Sequence, residues 1–313
     1  MTVSSRKSSI LESQPQTVNP QVIGVDLGGT AIKLGRFNAE GDCLAFERYP
    51  TPQPAAPEAV LKTLVGAVRS LQTSHCLAIG LGCPGPADAQ GRVAQLAINL
   101  PGWLQIPLAD GLEAERGLPV YLENDGNCAG LGEAWLGAGR DYQDFLLLTL
   151  GTGVGGAVFL GGELFRGRLG AGGELGLLTM EYEGPRCNSG NRGSLEQQVS
   201  AQAIWRRTGK TGADWAALAT ANDPTALAFW ADYGRRLGAG IANLIYVLTP
   251  EAVLLGGGLS AAEPYFRTAL AAEIQQRVLP PSREGLVIQA AQLGNRAGMV
   301  GAARLAWRRL AGC

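Results

Sequence analysis

The fold can be inferred from residues 22–37, which read Val-Ile-Gly-Val-Asp-Leu-Gly-Gly-Thr-Ala-Ile-Lys-Leu-Gly-Arg-Phe. An apolar run, a glycine pair and a second run of alternating apolar residues predict two antiparallel strands joined by a turn. The same arrangement returns at residues 144–160, where two apolar runs flank the glycines of residues 151–156. A strand, glycine turn and strand that occur twice predict two related lobes.

Helical patterns separate these strands. Pro57 stands where a first helical residue is favoured, and apolar residues follow it at 3.6-residue spacing as far as Leu71. Strands that alternate with helices predict an α/β fold. Further helices are predicted over residues 108–116, 127–136, 195–208, 225–248 and 298–310, and further strands over residues 77–81, 120–122 and 252–255.

The order of these elements predicts three parts of the chain. Residues 1–20 are rich in Ser, Thr and Gln and are expected to form a flexible tail. Residues 21–123 are expected to form a small N-terminal lobe, which the C-terminal helix 298–311 joins. Residues 124–297 are expected to form a large C-terminal lobe.

The amino-acid composition limits the classes of protein to which this chain can belong. The chain has 313 residues, of which 46% are hydrophobic and 17% charged, and this is enough apolar material for globular cores. The 26 basic residues against 27 acidic ones leave a net charge of −1, so we expect no nucleic-acid partner. The longest uncharged run, residues 145–162, is interrupted by glycines, which predicts two strands rather than a membrane span.

The cysteines and the single histidine bear on compartment and chemistry. The six cysteines never form a Cys-x-x-Cys pair and no secretory segment precedes them, so we expect a cytoplasmic protein with reduced thiols. His75, the only histidine, falls between a predicted helix and a predicted strand and is interpreted as a loop residue. Proton chemistry is therefore expected to use a carboxylate.

Two segments, residues 80–85 and 151–156, match the Gly-x-Gly-x-x-Gly pattern of dinucleotide-binding folds. That fingerprint requires glycines that open a helix whose N-terminus meets a pyrophosphate. Pro84 and Pro86 break the first candidate, and a strand follows the second. A Rossmann oxidoreductase is therefore only a weak alternative.

Glycine turns after strands can bind phosphate groups, because their backbone N–H groups point outward and no side chain blocks the approach. Asp26 is placed to hold Mg²⁺ through water. Lys33 fits either a phosphate contact or a solvated strand edge, and any one of these turns alone is equally an ordinary hairpin. The nucleotide-binding candidates are Asp26, Gly28, Gly29, Thr30 and Lys33 in the first hairpin, Gly151, Thr152 and Gly153 in the second, and Gly256, Gly257 and Gly258 after the strand 252–255.

These segments, in this order, resemble the ROK family of sugar kinases and repressors, within the sugar kinase and actin superfamily. The resemblance implies two ribonuclease-H-like lobes around a cleft, ATP and Mg²⁺ on the glycine turns, and a homodimer. It also implies transfer of the γ-phosphoryl group to a hexose hydroxyl. The matching stretches are residues 26–33, 83–86, 99–103, 123–127, 150–156, 170–176, 187–196, 250–260 and 293–303.

Asp125 looks like the family's catalytic carboxylate, the group that accepts the proton of the sugar hydroxyl. It follows the predicted strand 120–122, where open α/β sheets place ligand-binding residues. A helix N-cap is the alternative role for an aspartate at this position. Similarity to the family's motifs makes five residues sugar-binding candidates beside Asp125: Gly85, Asn99, Asn124, Glu174 and Glu196.

The sequence departs from the family at its zinc motif, where a histidine and three cysteines bind a structural zinc. Leu177, Ser189 and Ser194 occupy three of those positions, and only Cys187 remains. Structural zinc takes four nitrogen or sulfur ligands, so no structural zinc is predicted. We expect backbone, Ser and Asn hydrogen bonds and packing of the leucines in residues 175–178 to hold this loop instead.

The predicted function is that of an ATP-dependent hexose kinase that phosphorylates glucose at its 6-hydroxyl. An N-acylmannosamine kinase, a fructokinase and a polyphosphate-dependent glucokinase are alternatives, because hydroxyl stereochemistry is read by geometry rather than by residue type. A sugar-sensing regulator is the non-enzyme alternative. The family's repressors carry an N-terminal helix-turn-helix domain, and about twenty polar residues before Val22 are too few to form one.

Overall fold

The computed structural model describes residues 19–312, so most of the predicted tail lies outside the described residues. In chain order the strands are β1 Gln21–Leu27, β2 Ala31–Phe37, β3 Cys43–Pro50, β4 Cys76–Cys83, β5 Ala94–Leu96, β6 Leu104–Ile106, β7 Val120–Asn124, β8 Phe145–Leu150, β9 Val154–Leu160, β10 Glu163–Leu164, β11 Ala252–Gly256 and β12 Val287–Ala290. The α-helices are α1 Pro57–Leu71, α2 Leu108–Arg116, α3 Asp125–Leu136, α4 Leu195–Val199, α5 Ala201–Thr208, α6 Gly212–Thr220, α7 Pro224–Leu248, α8 Glu263–Arg277 and α9 Ala297–Leu310. Short 3₁₀ helices lie at Leu175–Leu177, Gly258–Ala262, Pro280–Arg283 and Gly294–Arg296.

The first sheet contains β3, β2, β1, β4 and β7, in that spatial order. β1 and β2 are antiparallel, with Leu27 opposite Ile32 beside the glycine turn, as the sequence predicts. β1, β4 and β7 run parallel to one another. The carboxyl ends of these strands, at Leu27, Cys83 and Asn124, therefore lie along one edge of the sheet.

The second sheet repeats this design with β10, β9, β8, β11 and β12, in that spatial order. Its hairpin strands β8 and β9 are antiparallel, whereas β8, β11 and β12 are parallel. In both sheets a hairpin fills one side and parallel strands reached by helical crossovers fill the other. The predicted α/β fold with two related lobes is confirmed.

Each sheet has its own hydrophobic core. α1 and α2 cover the first sheet with buried side chains such as Leu64 and Leu112. Helices of the second half cover the second sheet around three fully buried aromatic residues, Trp230, Tyr233 and Phe266. Large aromatic side chains contribute most to such a core because each removes a large apolar area from water.

α3 and α9 pack against each other; α3 also contacts β9 of the second sheet, and α9 contacts β1 and β4 of the first. Glycine residues, which have no side chain, allow α9 to approach α3 and β4 closely. A Cβ atom at Gly80 would lie 1.8 Å from the carbonyl oxygen of Ala302, and one at Gly301 would lie 1.6 Å from that of Cys128. No residue larger than glycine fits at these contacts without a shift of backbone.

Several predicted boundaries are wrong, among them those of the strands predicted at 77–81 and 120–122, which are Cys76–Cys83 and Val120–Asn124. The helix predicted over 195–208 is two helices, because Ser200 leaves helical geometry at φ −77° and ψ 164° and its hydroxyl accepts the N–H of Ala203. The helix predicted from residue 127 begins at Asp125, and the strand predicted from residue 157 begins at Val154. Among residues 19–312, no helix is both long and apolar enough to cross a membrane.

Candidate active site

Two cavities lie where strand ends of both sheets face each other. The first cavity, of about 380 Å³, is lined among others by Asp26, Lys33, Asp125, Glu133 and Gly256 to Gly258. The second cavity, of about 660 Å³, is lined among others by Thr30, Asn99, Asn124, Asp125, Glu174 and Glu196. Asp125, Thr149 and Gly257 line both cavities. Asp125 therefore stands at the junction between them.

Asp125 is the first residue of α3 and follows β7 directly. The capping role belongs to Asn124, whose Oδ1 accepts the N–H of Asn127 at 3.0 Å. Nδ2 of Asn124 donates to the carbonyl oxygen of Gly85 at 3.1 Å, so both ends of this amide are fixed. The alternative role of Asp125 as an N-cap is therefore wrong.

The environment of Asp125 favours its protonated form. Burial raises the pKa of Asp125 to about 6, and the negative charges of Asp26 and Glu174 add to this increase, although the N–H of Gly126 opposes it. The ordinary pKa of an aspartate side chain is about 3.8. Asp125 can therefore accept a proton near neutral pH more readily than an ordinary aspartate.

Asp26 and Lys33 face each other on β1 and β2 and form an ion pair with an Nζ–Oδ2 distance of 3.0 Å. Lys33 is thus paired rather than freely solvated. The start of α9 lies beside this pair, because a Cβ atom at Gly298 would be 2.9 Å from the carboxyl carbon of Asp26. In the described range no group of three or more His, Cys, Asp or Glu side chains could hold a metal ion.

The second and third glycine segments are fixed by close contacts. Oε2 of Glu196 accepts the N–H of Val154 at 3.0 Å, and a Cβ atom at Gly153 would lie 2.3 Å from that oxygen. Gly257 has a φ of +81°, and a Cβ atom there would lie 2.4 Å from the carbonyl oxygen of Leu150. These positions require glycine, and they leave the backbone accessible from the cavities.

The structure brings most of the predicted site residues together. Gly28 and Gly85 do not line either cavity: Gly28 closes its hairpin by donating to the carbonyl of Ala31 at 3.0 Å, and Gly85 holds the amide of Asn124. The first cavity contains Asp26, Lys33, Gly256, Gly257 and Gly258, and the second contains Gly29, Thr30, Asn99, Asn124, Gly151, Thr152, Gly153, Glu174 and Glu196.

Polar groups from both halves of the chain meet in the second cavity. Burial and the nearby charge of Glu196 raise the pKa of Glu174. On the other side, Oδ1 of Asn99 accepts a hydrogen bond from Nδ2 of Asn188 at 2.9 Å. Carboxylates and amides placed around one cavity suit a ligand that carries several hydroxyl groups.

Two buried carboxylates were not predicted from the sequence: Glu133, which lines the first cavity, and Glu123, which lies beside Asn124. Glu123 has no exposed side-chain surface; its Oε1 accepts the N–H of Asn124 at 2.9 Å, and its carboxylate forms an ion pair with Arg166. Arg166 also donates to the carbonyl oxygens of residues 88–89, each at 3.1 Å. The position of Glu123 just before Asn124 was a local signal for it, whereas nothing in the sequence pointed to Arg166 or to the second carboxylate, Glu133.

Hydrogen bonds hold the loop that replaces the zinc motif. Cys187 Sγ lies 2.7 Å from Ser189 Oγ, and the N–H of Cys187 donates to the carbonyl oxygen of Asn191 at 2.9 Å. Nδ2 of Asn191 in turn donates to the carbonyl oxygen of Leu177 at 2.7 Å. The expected Ser and Asn hydrogen bonds are therefore present.

The expected leucine packing in this loop is only partly correct. Leu175 is buried in the second core, but Leu178 is 39% exposed, because the chain leaves the core after the 3₁₀ helix Leu175–Leu177. Burial raises the pKa of the Cys187 thiol, but hydrogen bonds from Ser189 and its neighbours outweigh that effect and lower it overall.

The chain is similar to known proteins of one family over most of its length. The sequence model of the ROK family matches residues 22–309. The glucokinase of Streptomyces coelicolor is 34% identical and aligns with 91% of this chain and 96% of its own length. A ROK family glucokinase from Streptomyces griseus, solved with glucose and AMPPNP, is 32% identical, with a TM-score of 0.81, and aligns with 92% of this chain and 99% of its own. The ROK hexokinase of Thermus thermophilus is 34% identical, with a TM-score of 0.81, and aligns with 94% of this chain and 100% of its own.

Proposed function

This chain belongs to the ROK family, and from that premise we propose that it is an ATP-dependent hexose kinase that phosphorylates glucose at the 6-hydroxyl. One observation carries the proposal. Asp125, a carboxylate with a raised pKa, stands where a cavity lined by glycine backbone meets a cavity lined by Asn and Glu side chains. This arrangement suits transfer of a group between two different ligands across one proton acceptor.

Asp125 accepts the proton of the attacking hydroxyl in this mechanism. The hydroxyl oxygen forms a bond to the γ-phosphorus as the bond from phosphorus to the β–γ bridging oxygen breaks, and ADP leaves. Asn124 orients a neighbouring hydroxyl, because its amide is held by the backbone of Asn127 and Gly85. The transition state of phosphoryl transfer is loose, so orientation and charge stabilisation provide most of the rate enhancement.

The nucleotide occupies the first cavity, which Gly256 to Gly258 line, and its phosphates extend past Asp125 toward Gly151 to Gly153 at the edge of the second cavity. Backbone N–H groups there donate to phosphate oxygens. The charge of Asp26 is close enough to raise the pKa of Asp125, and a carboxylate at this place beside phosphate oxygens suits Mg²⁺. When bound, Mg²⁺ would neutralise charge on the phosphates, with Asp26 holding it through water.

The sugar occupies the second cavity, where Asn99, Glu174 and Glu196 bind its hydroxyl groups. Carboxylates accept hydrogen bonds from vicinal hydroxyls, and the Asn amide both donates and accepts. Residues 21–123 with helix 298–311 form one lobe and residues 124–297 the other, and closure of the two lobes on the sugar excludes water from the reaction. The active form is a cytoplasmic homodimer.

The test is a panel of sugars and phosphoryl donors supplied to the purified protein. Glucose, fructose and N-acetylmannosamine, each with ATP and with polyphosphate, should give the fastest product formation for glucose with ATP. Asp125→Asn is the test variant and should lose turnover. Asp110→Asn is its matched control and should keep turnover, because the Asp110 side chain is 61% exposed in a surface ion pair. Glucose binding without phosphorylation of any sugar would support a sugar-sensing regulator instead.

A further inference from the structure

Glu133 is fully buried, and its carboxylate accepts hydrogen bonds from backbone N–H groups. It lies on α3, and its Oε2 accepts the N–H groups of Ala138 at 2.8 Å and of Gln292 at 3.0 Å. Its Oε1 accepts the N–H of Leu293 at 2.8 Å. One carboxylate thus fixes the end of α3 and a segment that is distant in sequence.

The sequence around Glu133 is adapted to this arrangement. A Cβ atom at Gly137 would lie 2.0 Å from Oε2 of Glu133, so only glycine leaves room for the carboxylate to turn back toward Ala138. Glu133 also stands in the last turn of α3, where the helix dipole disfavours negative charge. A buried charge at an unfavourable position needs compensation, and the amide dipoles of three residues provide it.

The segment that Glu133 holds forms a wall of the first cavity. Ala291, Gly294 and Asn295 line this cavity together with Glu133 itself. Asp125 and Glu133 lie on the same helix, so a rise of about 1.5 Å per residue separates them by about 12 Å. If the γ-phosphate lies at Asp125, the wall at Gly294 and Asn295 faces the nucleoside end of ATP.

We propose that Glu133 is a positioning residue for nucleotide binding, which holds the segment of residues 291–295 as the wall against the nucleoside. This inference rests on the proposed function, because it assigns the first cavity to ATP. α3 then connects both halves of the reaction, since its first residue accepts the proton and its last turn sets the nucleoside wall. Glu133 itself need not touch the nucleotide.

The test is Glu133→Gln, examined by calorimetry with AMPPNP and by steady-state kinetics. The amide keeps the size of the side chain but sets an NH₂ donor against backbone N–H donors, so at least one hydrogen bond to the carboxylate is lost. We expect the Kd for AMPPNP and the KM for ATP to rise about tenfold or more, as one charge-assisted hydrogen bond predicts, with the KM for glucose unchanged. Glu251→Gln is the matched control, because the Glu251 carboxylate likewise accepts two backbone N–H groups, those of Gln143 and Asp144, but lines neither cavity, so the Kd for AMPPNP should stay unchanged.

Each outcome decides the proposal. Equal affinity of the variant and the wild type for AMPPNP, or parallel increases in the KM for ATP and for glucose, would overturn it. If Glu133→Gln does not fold, Gln292→Pro removes one of the same hydrogen bonds at an exposed residue and should show the same selective loss. Wild-type protein that binds AMPPNP yet phosphorylates no sugar would contradict the proposed kinase activity while leaving the role of Glu133 testable by binding.

Discussion

Replacement of Asp125 by Asn should abolish most turnover and at the same time stabilise the fold. A positioned proton acceptor contributes about 10² to 10⁴-fold, so kcat should fall by that factor. The carboxyl has a pKa of about 6 in the folded protein against an ordinary value of 3.8, a difference that corresponds to as much as about 3 kcal/mol at neutral pH. Asn carries no charge to bury and retains an oxygen that can accept the N–H of Gly126.

The stability gained from Asp125→Asn should depend on pH. Because the pKa of Asp125 is higher in the folded state than in the unfolded state, the cost of its charge is absent below pH 3.8 and complete above about pH 6. The gain in the free energy of unfolding from Asp125→Asn should therefore be greatest near pH 7.5 and fall to about half of that value near pH 5. The surface variant Asp110→Asn should change stability by less than about 1 kcal/mol at both pH values.

Urea unfolding of both variants and the wild type at pH 7.5 and pH 5, with kcat measured on the same preparations, tests the reasoning. A less stable Asp125→Asn protein at pH 7.5 would refute the claim that the site holds an unfavourable charge. A kcat within tenfold of the wild type would refute the role of Asp125 as proton acceptor. If both of these results were obtained, Asp125 would have only a structural role.

Three further predictions concern the pH profile, the zinc-free loop and helix packing. The acidic limb of kcat/KM should lie near pH 6 and steepen to tenfold per pH unit below it, and a profile that stays flat to pH 4.5 would contradict the pKa of Asp125. Metal analysis should find no stoichiometric zinc in the wild type or in Leu177→His, because Ser189 and Ser194 still occupy two of the four ligand positions in that variant. Gly301→Ala should lower the free energy of unfolding by several kcal/mol because its Cβ would lie 1.6 Å from a carbonyl oxygen, whereas Gly66→Ala in α1, with nothing within 4 Å, should be neutral or stabilising in the same urea titration.

Local patterns in the sequence were enough to predict both hairpins, because the glycine turns interrupt apolar runs within a few residues. The same patterns place Asp125 directly after a recognisable strand, but its role as proton acceptor was implied by the resemblance to the ROK family. The boundary at Ser200 was missed because a single capping hydroxyl interrupts a helical pattern that otherwise continues. Whole elements were also missed, since no prediction was made for β3, α6, α8 or β12.

The supporting contacts of the site could not be predicted in the same way. Glu123 meets Arg166, and Glu133 meets Gln292 and Leu293, only after chain segments far apart in sequence have packed together. A buried carboxylate inside a helical or strand pattern looks like any polar residue until its partners are known. Pairing over long separations depends on the tertiary fold, and periodicity carries no information about it.

The packing of α9 on β1 and β4 also affects how the chain folds during its synthesis. β1 emerges from the ribosome early, yet the helix that covers Val22 on one of its faces, Ala297–Leu310, is made almost a full chain length later. At ribosomal speeds that interval is on the order of tens of seconds, and the apolar face of the first sheet stays uncovered throughout it. The elements that form the core around Trp230, Tyr233 and Phe266 are all made before α9, so that core can form first. The first sheet, although it is translated first, must therefore wait for α9, and its uncovered face is where a chaperone would have most to protect.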